Sequence, residues 1–230
     1  MKHRISRRAF LRGCGLLAAS AAAGGLTSCG ETKAKDGGLP QIVVGSDTYP
    51  PYIYLNNDGV PAGIDVEIAT EAFRRMGYST RFEPIDWEQK TTLVESGAID
   101  CIWGCFSMEG REALYHWAGP YMVSRQVVAV NDDSSIQYAL LGCGYVDAIA
   151  SHETTILQYM KDNSVAFRIL SEPLLVTGLG VAFATNDSRG LDSQLNDTFA
   201  QLREDGTLEQ IVGKYLENPS QYLEVDTIGT

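Results

Sequence analysis

The sequence lacks a surplus of basic residues, and it lacks any Cys or His spacing typical of a metal site. Its 230 residues carry a formal net charge of −11, to which the first 28 contribute five basic side chains and no acid. The remainder is therefore more acidic still. Because phosphate binding needs a basic surface, this composition argues against nucleic acid as a partner. We expect neither a metal nor another cofactor.

Cysteines are too few and too scattered for a disulfide scaffold. Two of the five, Cys14 and Cys29, lie in the N-terminal segment. The other three are Cys101, Cys105 and Cys143, and an odd number cannot form a complete disulfide framework. Cys101 stands in an apolar strand pattern, so we expect a buried, small hydrophobic side chain there. Cys105 and Cys143 are candidates for free thiols.

The N-terminal apolar run, residues 13–26, is too short for a stable transmembrane span. It follows a basic stretch, so residues 1–28 are predicted to be an export signal. Residues 6–12, SRRAFLR, resemble a twin-arginine signal. Leu26-Thr27-Ser28-Cys29 resembles the lipobox of bacterial lipoproteins, in which cleavage leaves the cysteine to be acylated. Lipid on Cys29 would tether the chain to the outer face of a membrane, through residues 29–39 as a flexible tether. The alternative is an unprocessed signal anchor.

The sequence as a whole has an ordinary globular composition, with 44% hydrophobic residues, and its length fits one large domain or two small ones. Short apolar strands are predicted at residues 41–45, 80–85 and 98–103. An amphipathic helix is predicted over residues 64–77, between the first two strands. This alternation predicts an α/β fold with mixed, mostly parallel sheets.

The loop after the third predicted strand carries a hydroxyl at Ser107 and a guanidinium at Arg111. An aromatic, Trp117, a turn at residues 119–121 and a β-branched run at 126–130 follow. Open α/β sheets bind ligands at the carboxyl ends of their strands, and the planar fork of an Arg matches a carboxylate. Arg111 is therefore a candidate anion anchor. The alternative is a surface Arg in a loop that starts a helix.

This stretch resembles the signature of bacterial solute-binding proteins of the amino-acid-importer type. In that family a strand ends in a Ser/Thr-rich loop, an Arg follows, and an aromatic-x-x-Pro-Tyr segment leads into a hinge strand. Ser107, Arg111, residues 117–121 and residues 126–130 stand in that order here. The resemblance covers about residues 40–217 and implies a two-lobed, type II periplasmic-binding-protein-like fold.

The resemblance also implies how the chain is divided. Residues 40–125 and 185–222, which include two C-terminal amphipathic helices, would form the first lobe. Residues 126–184 would form the hinge strands and the second lobe, and residues 223–230 a C-terminal tail. The second lobe is shorter than the family's, and we interpret it as truncated by an internal deletion. The family's Gly/Ser/Thr-rich turn, which binds the ligand carboxylate, has no match here.

Four site residues of the first lobe follow from the resemblance. Asp47, Tyr49 and Tyr52 lie in the loop after the first strand, where the tyrosines would cover a ligand face and Asp47 would meet a positive group. Trp87 would stack on the ligand, and an indole face also attracts an ammonium. The alternatives are a Pro-rich turn whose tyrosines pack on the core, and an indole that packs back on its own helix.

The remaining site residues are Ser107 and Arg111, for a carboxylate, and His152 and Glu153 in the second lobe. Typical members have an Asp that pairs with the ligand amine where this chain has His152. Glu153 is adjacent and could replace it, unless it is simply an acid favoured in the first turn of a helix. Ser151 is the predicted N-cap of that helix, which runs to residue 163.

The function implied is that of a membrane-anchored extracytoplasmic lipoprotein that delivers an amino acid or similar small polar solute to an ABC importer. Its partners would be the solute, the permease subunits and the membrane, and we expect a monomer. One alternative is an internally deleted or repurposed member that binds no solute. A second is an enzyme on the same fold, such as a small-acid dehydratase, for which His152 and Glu153 are the one hint.

Overall fold

The computed structural model describes residues 38–131 and 148–228. The predicted export signal, Cys29, Cys143 and nearly all of the predicted tether lie outside these residues. The described residues belong to one compact unit, residues 34–230. Within them, no helix has the length and apolar character needed to cross a membrane.

The first part of the fold is built around a short parallel sheet. Its elements follow in this order: β1 Gln41–Ser46, β2 Tyr54–Leu55, β3 Pro61–Ala62, α1 Ile64–Arg75, β4 Ser79–Pro84, α2 Lys90–Glu95 and β5 Cys101–Ile102. Strand β1 pairs in parallel with β4 on one side and with β5 on the other. The strand–helix–strand pattern thus predicts the parallel part of the sheet correctly, and the carboxyl ends of β1 and β5 lie together.

Two long antiparallel strands continue the same sheet. They are β6, His116–Asn131, and β9, Leu175–Phe183. They pair from His116 opposite Phe183 to Gln126 opposite Leu175, with an irregular register between Ala118 and Met122. Strand β5 joins β9 in antiparallel fashion. The described sheet is therefore mixed but not mostly parallel as predicted, because its longest pairing is antiparallel. Of the two predicted hinge segments, residues 126–130 lie in β6, and residues 178–184 lie in β9 except for the last.

The segment predicted to form the second lobe contains β7 Ala148–His152, α3 Glu153–Asn163 and β8 Phe167–Ile169. Both strands pair antiparallel with β6. The prediction that Ser151 caps α3 is wrong. Ser151 lies within β7 opposite Val127, and the ladder extends to His152, which is the residue that precedes the helix.

The C-terminal helices α4, Leu191–Glu204, and α5, Thr207–Val212, pack against α1, and α4 also packs against β6. Short 3-10 turns follow at Pro219–Tyr222 and Val225–Thr227. Trp103 is fully buried at the centre of this packing. Its ring lies 6.0 Å from Phe73 of α1, 5.4 Å from Tyr121 of β6 and 5.7 Å from Phe199 of α4. Offset and edge contacts of this kind add to the burial of the rings themselves.

Burial is unequal between the two parts of the sheet. Helix α3 buries Thr154 and Ile156, whereas α4 buries Leu191, Leu195, Thr198, Phe199 and Leu202. Large apolar side chains are exposed around α3 and its flanking strands: Ile149, Leu157, Tyr159, Val165, Leu174 and Leu175. The region around α3 therefore has less apolar contact with which to resist local opening.

Native-state hydrogen exchange is expected to reflect this difference. The amides of β1, α1 and α4 should exchange slowly, because opening them exposes the main core. The amides of α3 should exchange at least tenfold faster, and its C-terminal turn fastest of all. Exchange measured by mass spectrometry on overlapping peptides would resolve the three helices. Equal protection of α3 and α4 would contradict the prediction.

Candidate ligand-binding site

The loop after β1 is folded tightly on itself. The Tyr49 N–H donates to the Ile53 carbonyl at 2.7 Å, and the Tyr52 N–H donates to the Tyr49 carbonyl at 2.9 Å. The rings of Tyr49 and Tyr52 stack with their centroids 6.1 Å apart. Tyr52 is fully buried in the main core, whereas Tyr49 is half-buried. Of the two, Tyr49 is the ring that a ligand can reach.

The N-terminus of α3 meets these tyrosines from the second lobe. Thr155 Oγ1 donates to the Tyr49 hydroxyl at 2.9 Å, and Thr154 Oγ1 donates to the Tyr52 hydroxyl at 3.3 Å. The His152 ring lies edge-on to Tyr49, with the centroids 5.9 Å apart. The first ligand loop and the start of α3 are thus joined by hydrogen bonds.

His152 has a protein partner on its other side. Its Nδ1 lies 2.6 Å from Ser124 Oγ on β6. Burial lowers the pKa of His152 below its ordinary value of 6.5, so the ring is neutral at pH 7. The Cys105 thiol lies beside the same hydroxyl and that of Tyr52, and burial raises the pKa of this thiol far above its usual range. Cys105 is therefore protonated, as is expected of a free structural thiol.

Glu153 is already engaged within the protein. Its Oε2 lies 3.4 Å from the Arg125 Nε and accepts a 3.4 Å hydrogen bond from the Tyr222 hydroxyl. The residue occupies the first turn of α3, where a carboxylate is favoured by the helix dipole. Glu153 thus links the start of α3 to β6 and to the turn that contains Tyr222.

Trp87 and Arg111 approach each other through a third residue, Phe106. The rings of Trp87 and Phe106 meet edge to face, with centroids 5.2 Å apart. The Arg111 guanidinium lies over the Phe106 ring at 5.4 Å, and the Lys90 ammonium lies over Trp87 at 4.9 Å. Asp86 caps the turn that starts at Trp87 by accepting from the Glu88 N–H at 3.1 Å.

Sequence reasoning missed Phe106. The sequence gives one local indication of its role, because this aromatic residue stands three places after the apolar run that ends at Trp103. Phe106 is buried and also packs on Tyr115 and Trp117, at 5.7 and 5.1 Å between centroids. It therefore carries Arg111 on one side and the aromatic cluster on the other.

Arg111 itself is exposed and weakly held. Its Nη1 donates to the carbonyls of Ser107 and Glu109, both at 3.3 Å. Ser107 is half-buried, forms an isolated bridge with Leu179 of β9, and accepts from the Glu109 N–H through its hydroxyl at 3.3 Å. The guanidinium keeps most of its donors available, because two long bonds to carbonyls use a single nitrogen.

Asp47 is half-buried at the carboxyl end of β1. Burial raises the pKa of its carboxyl, while its own backbone and the charge of Lys90 lower it in part. The predicted site residues thus fall into two groups. One surrounds the start of α3, and the other surrounds Phe106. The adjacent residues Cys105 and Phe106 belong one to each, so both groups flank the same loop.

No metal centre is built from the described side chains. Across residues 38–131 and 148–228, no three His, Cys, Asp or Glu side chains lie close enough to hold an ion. Hydrogen-bonding groups suited to a small polar molecule are present instead: a guanidinium that donates, a neutral imidazole and hydroxyls that donate or accept, and a half-buried carboxylate that accepts.

Comparison with known proteins finds relatives that align with most of the chain. The glutamate-binding protein GluB of Corynebacterium glutamicum is 24% identical, with 97% of each chain covered. The L-cystine-binding protein TcyJ of Escherichia coli is 23% identical, with 76% of this chain and 82% of that protein covered.

Solved structures share the fold. An ABC uptake transporter substrate-binding protein from Streptococcus pneumoniae with bound histidine superimposes with a TM-score of 0.66 at 21% identity. The match covers 76% of this chain and 92% of that one. The family model of bacterial extracellular solute-binding proteins, family 3, matches residues 42–218. A match over that share of the sequence, on a fold that its solved relatives share, places the chain in family 3 of the bacterial extracellular solute-binding proteins.

Proposed function

We propose that this protein binds an amino acid or a similar small polar solute outside the cytoplasm and passes it to an ABC importer. The observation that carries this proposal is the exposed Arg111 guanidinium in the loop that follows β5, where it lies over the Phe106 ring. A bidentate pair between a guanidinium and a carboxylate is directional and strong. The names of the relatives, which bind glutamate and cystine, support the same ligand class.

In this proposal Arg111 holds the ligand carboxylate, and Ser107 and nearby backbone N–H groups add hydrogen bonds. Tyr49 and Trp87 provide the walls of the site. Asp47 is the carboxylate proposed for the ligand amine, because Glu153 is already engaged by Arg125. His152 offers a neutral ring nitrogen at the second-lobe side, while the buried Tyr52 supports Tyr49 from behind.

A thermal-shift screen of the mature protein against the amino acids tests this function. Any solute that binds the folded state alone raises the unfolding free energy, by about 2.7 kcal/mol at 100 times its dissociation constant. We expect one group of chemically similar amino acids to raise the melting temperature. If none of them raises the melting temperature, the chain is a family member that no longer binds amino acids.

The second lobe is proposed to be a shortened form of the family's. The alignment with GluB is 286 positions long, which exceeds the 230 residues of this chain, so residues of that relative face gaps here. With fewer contacts to recover on closure, ligand affinity is expected to be weak. The permease of the importer is the proposed partner of the protein, which acts as a monomer.

We also propose that Cys29 carries the membrane anchor. Cys29→Ser is expected to move the protein from the membrane fraction to the soluble fraction, because lipid chains on this thiol would supply the membrane affinity. Fractionation followed by immunoblotting measures the change, with Cys105→Ser as the control that keeps the anchor. An unmodified peptide that runs through Ser28 and Cys29 in the mature protein would contradict the proposal.

A further inference from the structure

Asp65 is the most deeply buried carboxylate among the described residues, with 1% of its surface exposed. It is the second residue of α1, yet both of its oxygens serve other parts of the fold. Oδ2 accepts from the Cys105 N–H at 2.8 Å, and Oδ1 accepts from the Tyr121 hydroxyl at 2.8 Å. These partners are 40 and 56 residues away in the sequence. One side chain therefore joins α1, the loop after β5 and strand β6.

The bond to Cys105 restrains an unusual backbone. Cys105 has a φ of 49°, in the left-handed region that residues other than glycine adopt rarely. The next residue is Phe106, on which the Arg111 guanidinium lies. A change in the backbone at Cys105 therefore moves the ring that supports the proposed carboxylate anchor. We define residues 104–111 as the binding loop.

The bond to Tyr121 restrains the other side of the site. Tyr121 is fully buried in β6, at the irregular part of its pairing with β9. The same strand carries Ser124, whose hydroxyl contacts His152, and Arg125, which contacts Glu153. Asp65 thus connects the binding loop with the strand that presents the second-lobe residues.

We propose that Asp65 is a positioning residue for solute binding, which fixes the binding loop against strand β6 without touching the ligand. This inference rests on the proposed function, but it makes a separate statement about the loop. Without the carboxylate, the Cys105 N–H loses its acceptor and the left-handed turn loses its restraint. The Phe106 ring and Arg111 then sample positions that do not bind a carboxylate.

The chain offers a matched control in Asp100. This residue is 6% exposed, and its Oδ2 accepts from a backbone donor, the Val43 N–H, at 2.8 Å. Its Oδ1 accepts from Arg189 at 2.7 Å. Like Asp65, it is a buried aspartate that accepts a hydrogen bond on each carboxylate oxygen. Unlike Asp65, it lies at the amino end of β5, away from the binding loop. Any general cost of losing such a carboxylate appears in both variants.

The experiment compares wild type, Asp65→Asn and Asp100→Asn at a temperature where all three are folded. Asn keeps one acceptor oxygen, which can still accept from the Cys105 N–H, and its NH2 group can only donate. Asp65→Ala, which removes both acceptor oxygens, is therefore measured beside it. Hydrogen exchange of the binding-loop amides is the first readout, and it needs no ligand. Asp65→Asn should speed exchange in residues 105–111 at least tenfold, and Asp100→Asn should leave it unchanged. Calorimetric titration with L-glutamate and with L-cystine is the second readout, where Asp65→Asn should weaken binding at least tenfold.

The outcomes separate the inference from the proposed function. Loop exchange that stays at the wild-type rate in both Asp65→Asn and Asp65→Ala, or that rises equally in Asp100→Asn, overturns the positioning role. If wild type binds neither probe, the exchange comparison still decides the inference. Should Asp65→Asn fail to fold, Tyr121→Phe removes one of the two bonds with a smaller change. Faster exchange confined to the loop is then expected, and unchanged exchange overturns the inference.

Discussion

Replacing Arg111 with Ala is expected to weaken amino-acid binding at least 100-fold and to leave the fold intact. The side chain is exposed, and within the protein it makes two 3.3 Å hydrogen bonds and one contact with Phe106. Its loss therefore costs the folded state little. The ligand, by contrast, loses a bidentate partner for its carboxylate, and a 100-fold loss corresponds to about 2.8 kcal/mol. Truncating one member of a buried charge pair costs that much or more.

Arg111→Lys is expected to recover little of this binding, because an ammonium cannot offer two parallel donors to a carboxylate. Arg74→Ala is the matched control. It removes an exposed Arg from α1, where the guanidinium bonds Glu71, and so changes the net charge by the same amount away from the site. Calorimetric titration of all variants with the solute found by thermal shift measures the effect. Wild-type affinity in Arg111→Ala would remove the central argument for the proposed function.

The elements that sequence patterns predicted well are those whose burial is periodic. Strand β1 and helix α1 have regular apolar patterns, and they lie within a residue or two of the predicted bounds. The third strand is shorter than the predicted 98–103. Even so, the Asp100 N–H donates to the Val43 carbonyl and the Trp103 N–H to the Gly45 carbonyl on either side of it. Parallel bonding to β1 thus continues beyond the assigned strand.

Tertiary pairing overrode local signals at two places. Gly119-Pro120 is a turn signal in the sequence, but β6 passes through it because the pairing with β9 tolerates an irregular register there. Proline in a sheet is expected at such irregular positions. Ser151 has a good N-cap side chain, yet it pairs with Val127 in the sheet. Neither outcome is encoded within the few residues that surround it.

The site could be predicted only in part for a related reason. Arg111, Trp87 and Tyr49 carry groups whose chemistry is visible in the sequence. Phe106 and Asp65 act through their position, and that position depends on partners far along the chain. An apolar ring after a strand, or an acid in the first turn of a helix, has an ordinary structural explanation when it is viewed locally.

The pH dependence of stability is expected to expose the cost of burying Asp65. Burial raises the pKa of this carboxyl from 3.8 to about 7, and the bonds from Cys105 and Tyr121 offset only part of that rise. The folded state therefore favours the protonated form. The stability that this preference contributes is fully present below the unfolded pKa and is lost as the pH rises towards 7. Each pKa unit is worth about 1.4 kcal/mol, so the loss between pH 5 and 8 is about 3 kcal/mol.

Burial also raises the pKa of Asp47, which therefore contributes with the same sign as Asp65. Two other groups act with the opposite sign or outside this range. The pKa of His152 is lowered by burial, so its contribution to stability grows as the pH rises through 6.5. Hydrogen bonds with arginine lower the pKa of Glu71 to about 2, and its contribution is lost only under more acidic conditions. The pH dependence of the wild-type unfolding free energy is thus a sum over several groups. The contribution of Asp65 is obtained from the difference between wild type and a variant that lacks this carboxyl.

Urea unfolding of wild type, Asp65→Asn and Asp100→Asn across pH 5 to 8 makes that difference measurable. The Asn side chain cannot ionise. The unfolding free energy of Asp65→Asn should therefore increase relative to that of wild type as the pH rises, by about 3 kcal/mol between pH 5 and 8. Asp100→Asn is the control and should stay parallel to wild type, because it removes a buried carboxylate that is paired with the positively charged Arg189, away from the binding loop. Curves of equal slope for Asp65→Asn and wild type would mean that Asp65 keeps one protonation state from pH 5 to 8. The two bonds to Cys105 and Tyr121 would then hold an ionised carboxylate throughout, and the binding loop would be insensitive to pH in this range.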